Sequence, residues 1–597
     1  MNLSILLLDA KLPAALTLAS VGCLAAVGAL LLLGALRGSM SSRPKIAARV
    51  PRMPEGVAKR LEMASADRAL RLFAWLFAVL VATAFASHLY WARRADVSEA
   101  VASDVRRRDQ RIARVNGSSP RGRVLDRTGD LTNALALYRA TPAGKIARIY
   151  PMDRALVHLL GSPRINPGFE QALFGASLTT PESLSVLLGT ADSTDDTDVR
   201  LTISAELQRL VAEQMGGRRG AVVAIDPQTG DVLALYSSLA PSIAETSDDA
   251  TWIRMEADER GRPLENRSLH FFYVPGSTFK TVTMIAAYLA GMQNEKFTCS
   301  SGGFIAQPGA APIFDSGGAS EVHGHIGLDT AYEVSCNQYF AQLAVKLGPD
   351  GLKAAARLLG IGTYDSPDDA LRPRRQPELW NASSPAVASA LAPNQSAIVT
   401  RNISRLDLAY EGFGQGYAGQ MTPFQMALVA AAVGNTSGKL MKPKIEYDVA
   451  PVQLAQVVSP QQAADMRRIM GRVTGAPSGT ARGAFAKVGA AGITTGGKTG
   501  TAQKEVPLYK PTGEILKRME YERDSHGNVI REYERVVMAP QPRVDSWFIC
   551  LAPLDQPRVA IAVVVEGGGA GARAAAPIAA AVVLKAQELG LLRERSK

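Results

Sequence analysis

Two long uncharged segments near the N-terminus constrain this chain more than any other feature of its sequence. Leu12–Leu36 holds 25 residues and Leu72–Ala92 holds 21, and neither contains Asp, Glu, Lys or Arg. At a rise of about 1.5 Å per residue, a helix of either length spans a hydrocarbon core of about 30 Å. Ordinary buried core helices of this hydrophobicity are shorter, roughly 10–14 residues. We therefore predict that both segments are transmembrane helices.

The positive charge of the chain is concentrated around these segments. Residues 1–120 carry 17 Lys and Arg against 8 Asp and Glu, whereas residues 121–597 carry 49 against 47. The basic excess thus has a local, membrane explanation and does not indicate nucleic-acid binding. Nine of the basic residues lie between the two segments, in residues 37–71. Because cytoplasmic loops collect Lys and Arg, we expect this loop inside, and residues 1–11 and everything after residue 92 outside.

Strand-like segments at the two ends of the remaining chain enclose a helical middle. Ala221–Ile225 and Asp231–Tyr236 flank an Asp-Pro-Gln-Thr-Gly turn, which predicts a hairpin. Ser546–Ala552 and Val559–Val565 form a second apolar strand pair, and the alanine-rich segment Ala574–Leu589 is typical of a helix. We predict an α+β fold in which one mixed sheet, flanked by helices, joins the first and last strands.

Ser277 and Lys280 form a Ser-x-x-Lys pair at a predicted helix start. Pro275-Gly276 marks a turn, and an apolar helical segment follows at Thr281–Ala290. Residues three apart share a helix face, and a desolvated neutral lysine can take the proton of a serine hydroxyl. The pair alone also fits an ordinary helix start, since Ser42-Arg43-Pro44-Lys45 repeats the pattern in the basic loop.

Two further motifs follow Ser277 in the chain. Ser335-Cys336-Asn337 lies in the helix-like segment Gly327–Phe340 and offers a hydroxyl and an amide to a cleft. In Lys498-Thr499-Gly500-Thr501, the glycine lets a substrate backbone approach, and the hydroxyls and the lysine attract a carboxylate. Taken separately, these motifs also fit a helix cap and a glycine-rich turn. The order Ser-x-x-Lys, Ser-x-Asn, Lys-Thr-Gly is that of penicillin-binding proteins and β-lactamases.

The chain resembles a class B penicillin-binding protein, a membrane-anchored peptidoglycan D,D-transpeptidase. Arg121–Arg127 is similar to the motif that opens the family's non-catalytic pedestal, and Gly220–Leu235 is similar to the first hairpin of its catalytic domain. Gly414-Gln415-Gly416 and Trp547-Phe548 are also typical of the family. The resemblance covers roughly residues 120–590 and implies a serine-acyltransferase (penicillin-binding/β-lactamase-like) fold. The domains expected on this basis are a stalk and short pedestal at 93–215 and a transpeptidase domain at 216–597, with an inserted arm at about 504–545.

The resemblance implies a role for each motif residue. Ser277 attacks the penultimate D-Ala of a stem peptide, Lys280 accepts its proton, and Ser335 relays a proton to the leaving amine. The other residues orient the substrate, support the electrostatics of the cleft and bind the terminal carboxylate: Asn337, Lys498, Thr499, Gly500 and Thr501. Backbone N–H groups of Ser277 and Thr501 form the oxyanion hole. An acceptor amine then takes the acyl group, and β-lactams trap Ser277 by imitating D-Ala-D-Ala.

The sequence predicts neither a cofactor nor a metal. The four cysteines are too widely spaced for a disulfide framework or a CxxC zinc pattern: Cys23, Cys299, Cys336 and Cys550. Glu321, His323 and His325 alternate as metal ligands on one strand face would. However, His323-Gly324 matches a His-Gly element that precedes Ser-x-Asn in the family, so we expect no metal here.

The resemblance also implies partners and a location. We expect peptidoglycan stem peptides as substrates, β-lactams as inhibitors, a polytopic membrane glycan polymerase as partner, and no nucleic acid. The expected location is the bacterial cytoplasmic membrane, with the catalytic domain outside. A D,D-carboxypeptidase or β-lactamase shares the three motifs, and a β-lactam sensor shares the serine. The membrane anchor, the pedestal and the Gly-Gln-Gly segment favour the transpeptidase over these alternatives.

Overall fold

The computed structural model describes part of the chain, namely residues 75, 77–79, 81–83, 122–140, 146–161, 164, 169–170, 172–173, 198–370, 372–415, 419–510, 514–523 and 529–593. It contains two compact units, residues 1–119 and residues 120–597. The first predicted membrane segment, 12–36, lies outside the described residues. In the second, 72–92, the seven described positions are helical. No helix among the described residues has both the length and the apolar character needed to span a membrane.

The strands of the described residues are numbered in chain order: β1 Val124–Leu125, β2 Leu137–Ala140, β3 Ile146–Ile149, β4 Val199–Arg200, β5 Gly220–Ile225, β6 Val232–Ser237, β7 Lys296–Cys299, β8 Gly324–Gly327, β9 Gly362–Tyr364, β10 Ala397–Val399, β11 Lys439–Met441, β12 Gln453–Gln456, β13 Gly496–Lys504, β14 Lys517–Arg523, β15 Val529–Val536, β16 Arg543–Ala552 and β17 Val559–Val565. The α-helices are numbered likewise: α1 Val157–Leu160, α2 Ala205–Met215, α3 Ile243–Ser247, α4 Asp249–Ala257, α5 Arg267–His270, α6 Lys280–Leu289, α7 Leu328–Glu333, α8 Asn337–Leu358, α9 Pro367–Ala370, α10 Pro385–Ala390, α11 Arg405–Gly412, α12 Pro423–Gly434, α13 Pro460–Gly475, α14 Ala486–Ala490 and α15 Ala575–Glu588.

The central element is a five-stranded sheet in the order β13-β16-β17-β5-β6. It joins the first hairpin to the C-terminal strands as predicted, through the pairing of β5 with β17. The pairing differs in one respect from the predicted mixed sheet, because all four strand pairs of this sheet are antiparallel. Among the described strands, parallel pairing occurs in two small separate sheets, β1 with β4 and β9 with β10.

Helices cover both faces of this sheet. Every residue of β5, β6 and β17 is buried, which explains why these strands are continuous apolar runs without alternation. Helix α12 packs on β5, β16 and β17, and all of its residues are buried. Helix α15 packs on β16, β17 and α2, and α2 packs on β6. The hydrophobic core of the unit therefore lies on both sides of the sheet.

A helical region lies beside the edge strand β13. Helix α6 packs against α8, α8 packs against α11, and α13 packs against both α7 and β13. The start of α6 and the connection between α7 and α8 thereby face β13. These three places carry the three sequence motifs.

Residues 505–542, between β13 and β16, include a hairpin. Strands β14 and β15 pair only with each other, from Lys517↔Val536 to Arg523↔Val529. All eight residues of β15 are exposed. The base of the hairpin is closed by the backbone, where Leu516 N donates to Leu508 O (2.8 Å) and Val537 N donates to Leu516 O (2.9 Å).

Candidate active site

Ser277 lies on a tight turn that leads into α6. Residues Gly276–Phe279 form one 3₁₀ turn, and Lys280 is the first residue of the α-helix. Gly276 has a φ of +56°, and a Cβ at this position would lie 2.8 Å from Thr501 O and 3.1 Å from Thr501 N. Only glycine allows this approach, which brings the turn carrying the Ser277 N–H against the backbone of Thr501.

Lys280 points into the protein beneath Ser277. Its side chain is fully buried, and Nζ donates to Ser335 O (2.5 Å), Ser335 Oγ (3.1 Å) and Asn337 Oδ1 (2.8 Å). Burial lowers the pKa of Lys280 to about 8, despite the opposing attraction of Asp315 and Glu321. A larger fraction of this amine is therefore neutral near pH 7 than of an ordinary lysine, so it can accept a proton.

The connection between α7 and α8 holds Ser335 and Asn337. The sequence predicts helix through Gly327–Phe340, and this is wrong at its centre, because Ser335 has a φ of +63° and interrupts it. Cys336 then caps α8, its Sγ accepting from Tyr339 N at 3.3 Å. The break turns the Ser335 hydroxyl and the Asn337 amide toward the cleft, whereas a continuous helix would hold them on its own surface.

Lys498 reaches the same hydroxyl from strand β13. Its Nζ donates to Ser335 Oγ (2.8 Å) and to Thr499 O (3.1 Å), and the side chain is fully buried. Burial, followed by the positive charge of Lys280, holds the pKa of Lys498 well below its usual range. The hydroxyl of Ser335 is therefore held between two lysine amines that are 218 positions apart in the chain.

Gly500 has a different neighbour from the one the sequence suggests. A Cβ here would lie 3.1 Å from Pro275 O, 3.0 Å from Thr278 Cγ2 and 2.9 Å from Trp547 Cβ. The glycine thus admits the turn of Ser277, whereas its sequence motif predicts a close approach of the substrate backbone. Trp547 pairs with Gly500 across β13 and β16, and its Nε1 donates to Val274 O at 3.1 Å. This bond ties the segment before Ser277 to the sheet.

These groups line one cleft of about 1050 Å³, which includes Ser277, Ser335, Asn337, Thr499 and Thr501. Two of the other lining residues contact the threonines of β13. Gln415 Nε2 donates to Thr501 O (2.9 Å), and Thr480 Oγ1 lies 2.9 Å from Thr499 Oγ1. The Gly-Gln-Gly motif could have indicated Gln415. Thr480 has no local signal, since only the packing of its loop brings it to β13.

The three residues considered as metal ligands do not converge. His325 Nδ1 lies 3.3 Å from Thr298 Oγ1, and Glu321 Oε1 lies 3.8 Å from His323 Nε2. His323 instead joins Cys299, Asp315 and Cys336 in a set whose ligand atoms all lie within 4.8 Å of one another. We call these four residues the thiol cluster. It lies behind the Ser335–Asn337 turn, because Cys336 is the middle residue of that turn.

Comparison with known proteins agrees with this geometry. Residues 220–512 match the family described as penicillin binding protein transpeptidase domain. The peptidoglycan D,D-transpeptidase PbpA of Mycolicibacterium smegmatis is 28% identical over 543 residues, covering 83% of this chain and 95% of that protein. The PbpA of Mycobacterium tuberculosis is 30% identical over 418 residues, covering 65% of this chain and 72% of that protein. The chain belongs to the class B penicillin-binding proteins.

A solved structure extends this comparison to the fold. The penicillin G acyl-enzyme complex of penicillin-binding protein A from M. tuberculosis is 26% identical, with a TM-score of 0.55, and the match covers 79% of this chain and all of that one. The resemblance inferred from the motifs is therefore confirmed, and so is the transpeptidase fold of this class B penicillin-binding protein. The two transmembrane helices remain a prediction.

Proposed function

We propose that this chain is a peptidoglycan D,D-transpeptidase in which Ser277 forms the acyl-enzyme. The observation that carries the proposal is the buried contact of Lys280 and Lys498 with one hydroxyl, that of Ser335, beneath a cleft that opens at Ser277. Two desolvated amines around a hydroxyl form a path along which a proton can move. Such an arrangement suits acyl transfer between amines, in which one amine leaves and another attacks.

The proposed acylation step uses these groups in turn. Ser277 Oγ attacks the carbonyl of the penultimate D-Ala, and neutral Lys280 takes the hydroxyl proton as the C–O bond forms. The C–N bond to the terminal D-Ala then breaks, and the leaving amine receives a proton from the Ser335 hydroxyl, which is replenished from the adjacent lysine. An acceptor amine next attacks the ester carbonyl, gives up its proton along the same path, and releases Ser277.

The remaining cleft residues position the substrate. Asn337 Oδ1 accepts from Lys280 Nζ (2.8 Å) and its Nδ2 donates to Phe314 O (3.2 Å), which leaves the second N–H of the amide to orient the substrate backbone. Thr499 and Thr501 offer hydroxyls to the terminal carboxylate, and Lys498 donates a hydrogen bond to Ser335 Oγ from below. The N–H groups of Ser277 and Thr501 stabilise the tetrahedral oxyanion, where one such donor is worth roughly 3–4 kcal/mol.

We further propose that the enzyme works outside the cytoplasmic membrane, anchored by helices at 12–36 and 72–92, with the domain division at 93–215 and 216–597. The uncharged lengths of these segments and the nine basic residues between them support this arrangement. A polytopic membrane glycan polymerase is the partner that the reaction needs, since crosslinking acts on newly polymerised strands.

Labelling with fluorescent penicillin tests the site. Ser277→Ala should abolish labelling, because the acylated oxygen is gone, and Lys280→Ala should slow it by about 10²–10⁴-fold, the usual contribution of a general base. Ser42→Ala, in the repeated Ser-x-x-Lys pattern, should label like the unaltered protein. Far-UV circular dichroism should show all three proteins folded.

Intact mass spectrometry separates the proposal from its alternatives. After penicillin treatment we expect one adduct that persists for many minutes and maps to the peptide containing Ser277. Rapid turnover of penicillin would identify a β-lactamase instead. Release of D-Ala from a D-Ala-D-Ala peptide without any crosslinked product, even with an acceptor amine present, would identify a carboxypeptidase. An adduct on another peptide would overturn the assignment of Ser277.

A further inference from the structure

Thr480 adds a third hydroxyl to the part of the cleft that contains Thr499 and Thr501. It lines the cleft together with both of these threonines, although it lies in the loop after α13 and not on β13. Thr480 Oγ1 lies 2.9 Å from Thr499 Oγ1, which is the length of a hydrogen bond between two hydroxyls. The two hydroxyls therefore form a pair at the place proposed for the terminal carboxylate of the substrate.

The loop that carries Thr480 is packed tightly against the end of α13. A Cβ at Gly479 would lie 2.4 Å from Arg472 O and 2.6 Å from Val473 O, so a larger residue would have to displace the backbone. On the other side of Thr480, the N–H of Ala481 donates to Val473 O at 3.0 Å. Contacts of the two neighbouring residues thus fix the backbone of Thr480.

A buried carboxylate ties the same loop to the helix that precedes Ser335. Glu333, the last residue of α7, is 3% exposed. Its Oε2 accepts from Arg472 Nε (2.5 Å), and its Oε1 accepts from the hydroxyl of Ser478, two residues before Thr480. Both oxygens of the buried charge therefore have partners, as burial requires. Since Glu333 lies two residues before Ser335, it fixes the Thr480 loop relative to the catalytic turn.

A third contact joins the end of α13 to β13. Thr474 Oγ1, in the last turn of the helix, donates to Thr495 O at 2.6 Å, directly before the strand. Helix α13 also packs along β13. The loop is thus fixed to both elements that carry the motif residues of the cleft, and this determines how far Thr480 lies from Thr499.

We propose that Thr480 is a specificity-determining residue for the terminal carboxylate of the donor peptide and that it acts through Thr499. This inference rests on the function proposed above. The Thr480 hydroxyl donates to Thr499 Oγ1, so that the proton of Thr499 points to the carboxylate. A hydroxyl can accept one hydrogen bond while it donates another, and successive hydrogen bonds polarise one another. Thr480 is therefore a positioning residue, whose loss weakens recognition of a carboxylate more than that of a neutral group.

Single-turnover acylation of the full-length, detergent-purified protein tests the proposal. The probes are a thioester analogue of a D-Ala-D-Ala peptide that ends in a carboxylate and the same analogue ending in a carboxamide. Thr480→Val, which is nearly isosteric, should raise the half-saturating concentration of the carboxylate probe about tenfold and change the maximal acylation rate less than about threefold. The half-saturating concentration of the carboxamide probe should change less than about twofold.

Conservative and distant variants provide the controls. Thr480→Ser keeps the hydroxyl and should restore the preference for the carboxylate probe. Thr436→Val removes a hydroxyl that donates to Gln228, and neither of these residues lines the cleft, so this variant should behave as the unaltered protein does. If Thr480→Val does not fold, as judged by its thermal unfolding midpoint, Thr480→Ala removes the same hydroxyl and should give the same selective loss.

The outcomes distinguish this inference from the function on which it rests. A folded Thr480 variant that loses both probes equally would show that the residue only supports the loop, and this would overturn the inference. An unchanged half-saturating concentration for the carboxylate probe would overturn it as well. In both cases a normal penicillin adduct at Ser277 would leave the proposed function intact. The absence of that adduct in the unaltered protein would overturn the proposed function and this inference together.

Discussion

At the scale of single residues, two buried lysines surround the hydroxyl of Ser335. Lys280 and Lys498 are both fully buried, and neither forms an ion pair within the described residues. Each donates a hydrogen bond to Ser335 Oγ instead, which gives the amine a hydrogen-bond partner without neutralising its charge. Burial then favours the neutral amine, so the pKa of Lys280 falls to about 8 and that of Lys498 falls well below its usual range. Lysines with carboxylate partners in the same places would stay protonated and could not act as bases.

Acylation should therefore depend on pH through Lys280. The neutral fraction of a lysine rises with pH, so the second-order rate of acylation by penicillin should increase about tenfold per pH unit below pH 7 and level off above a pKa of about 8. Stopped-flow labelling between about pH 6 and pH 9.5 measures this profile.

A second lysine of β13 provides the control for this profile. Burial also lowers the pKa of Lys504, but its charged neighbours are Arg543 and Asp545, at the other end of the strand from Lys498. Lys504→Gln should leave the inflection in place. A profile of the unaltered protein that is flat from about pH 6 to pH 9 would contradict the role of Lys280 as base.

At the scale of secondary structure, an interrupted helical segment shapes the cleft, and a hairpin is added to the catalytic unit. Helices α7 and α8 are separate because Ser335 takes a positive φ and Asp315 binds the free N–H groups at the start of α8. Hairpin β14–β15, in contrast, is an added element, because its strands pair only with each other. A hydrogen bond from Ile515 N to Glu259 Oε2 (2.6 Å) ties its base to the rest of the unit.

Replacing Lys517–Val536 by a short Gly-Ser loop should leave acylation by penicillin unchanged within about threefold. None of the described residues of the hairpin lines the cleft, and exchanging one surface loop for another costs little free energy. The backbone bonds at Leu508, Leu516 and Val537 remain in this design and keep the base closed. Fluorescent-penicillin kinetics and the thermal unfolding midpoint are the measurements. A folded variant that no longer acylates would show that the hairpin helps to build the site.

Long-range pairing fixes the geometry at the scale of the whole catalytic unit. Strands β5 and β17 pair although more than 300 residues separate them. Directly after the central strand β17, the buried carboxylate of Glu566 accepts from Tyr273 Oη (2.9 Å), Arg267 Nε (3.2 Å) and Arg543 Nη1 (2.9 Å). Tyr273 and Arg267 precede Ser277 closely in sequence. The C-terminal strands therefore hold the segment that leads to Ser277.

Membrane topology is a prediction about the chain as a whole. In a Cys23→Ala background, a cysteine at Ser42 should resist a membrane-impermeant thiol reagent in intact cells, whereas one at Ser118 should react, because basic loops stay inside. The cysteines at 299, 336 and 550 are buried and should not contribute to labelling. Permeabilised cells provide the control, since both introduced cysteines should then react. Labelling at Ser42 but not at Ser118 in intact cells would reverse the predicted orientation.

The sequence by itself determined what depends on local patterns and fixed spacing. The apolar runs at Ala221–Ile225 and Val559–Val565 predicted buried strands, and the structure has them at β5 and β17. Three short motifs in a fixed order predicted the family and drew attention to Ser277, Lys280 and Lys498. These signals are readable because each lies within a few consecutive residues.

Only the tertiary structure decided which groups meet. The thiol cluster takes its members from a span of 38 residues without any recognisable spacing, and Thr480 reaches Thr499 through loop packing alone. Gly500 was assigned to substrate, yet its space belongs to the turn of Ser277, because a glycine does not indicate what will approach it. The depressed pKa of Lys280 likewise depends on burial by α8 and β13. The burial of a side chain and the meeting of distant groups both depend on residues far apart in the chain, so a local sequence pattern does not predict them.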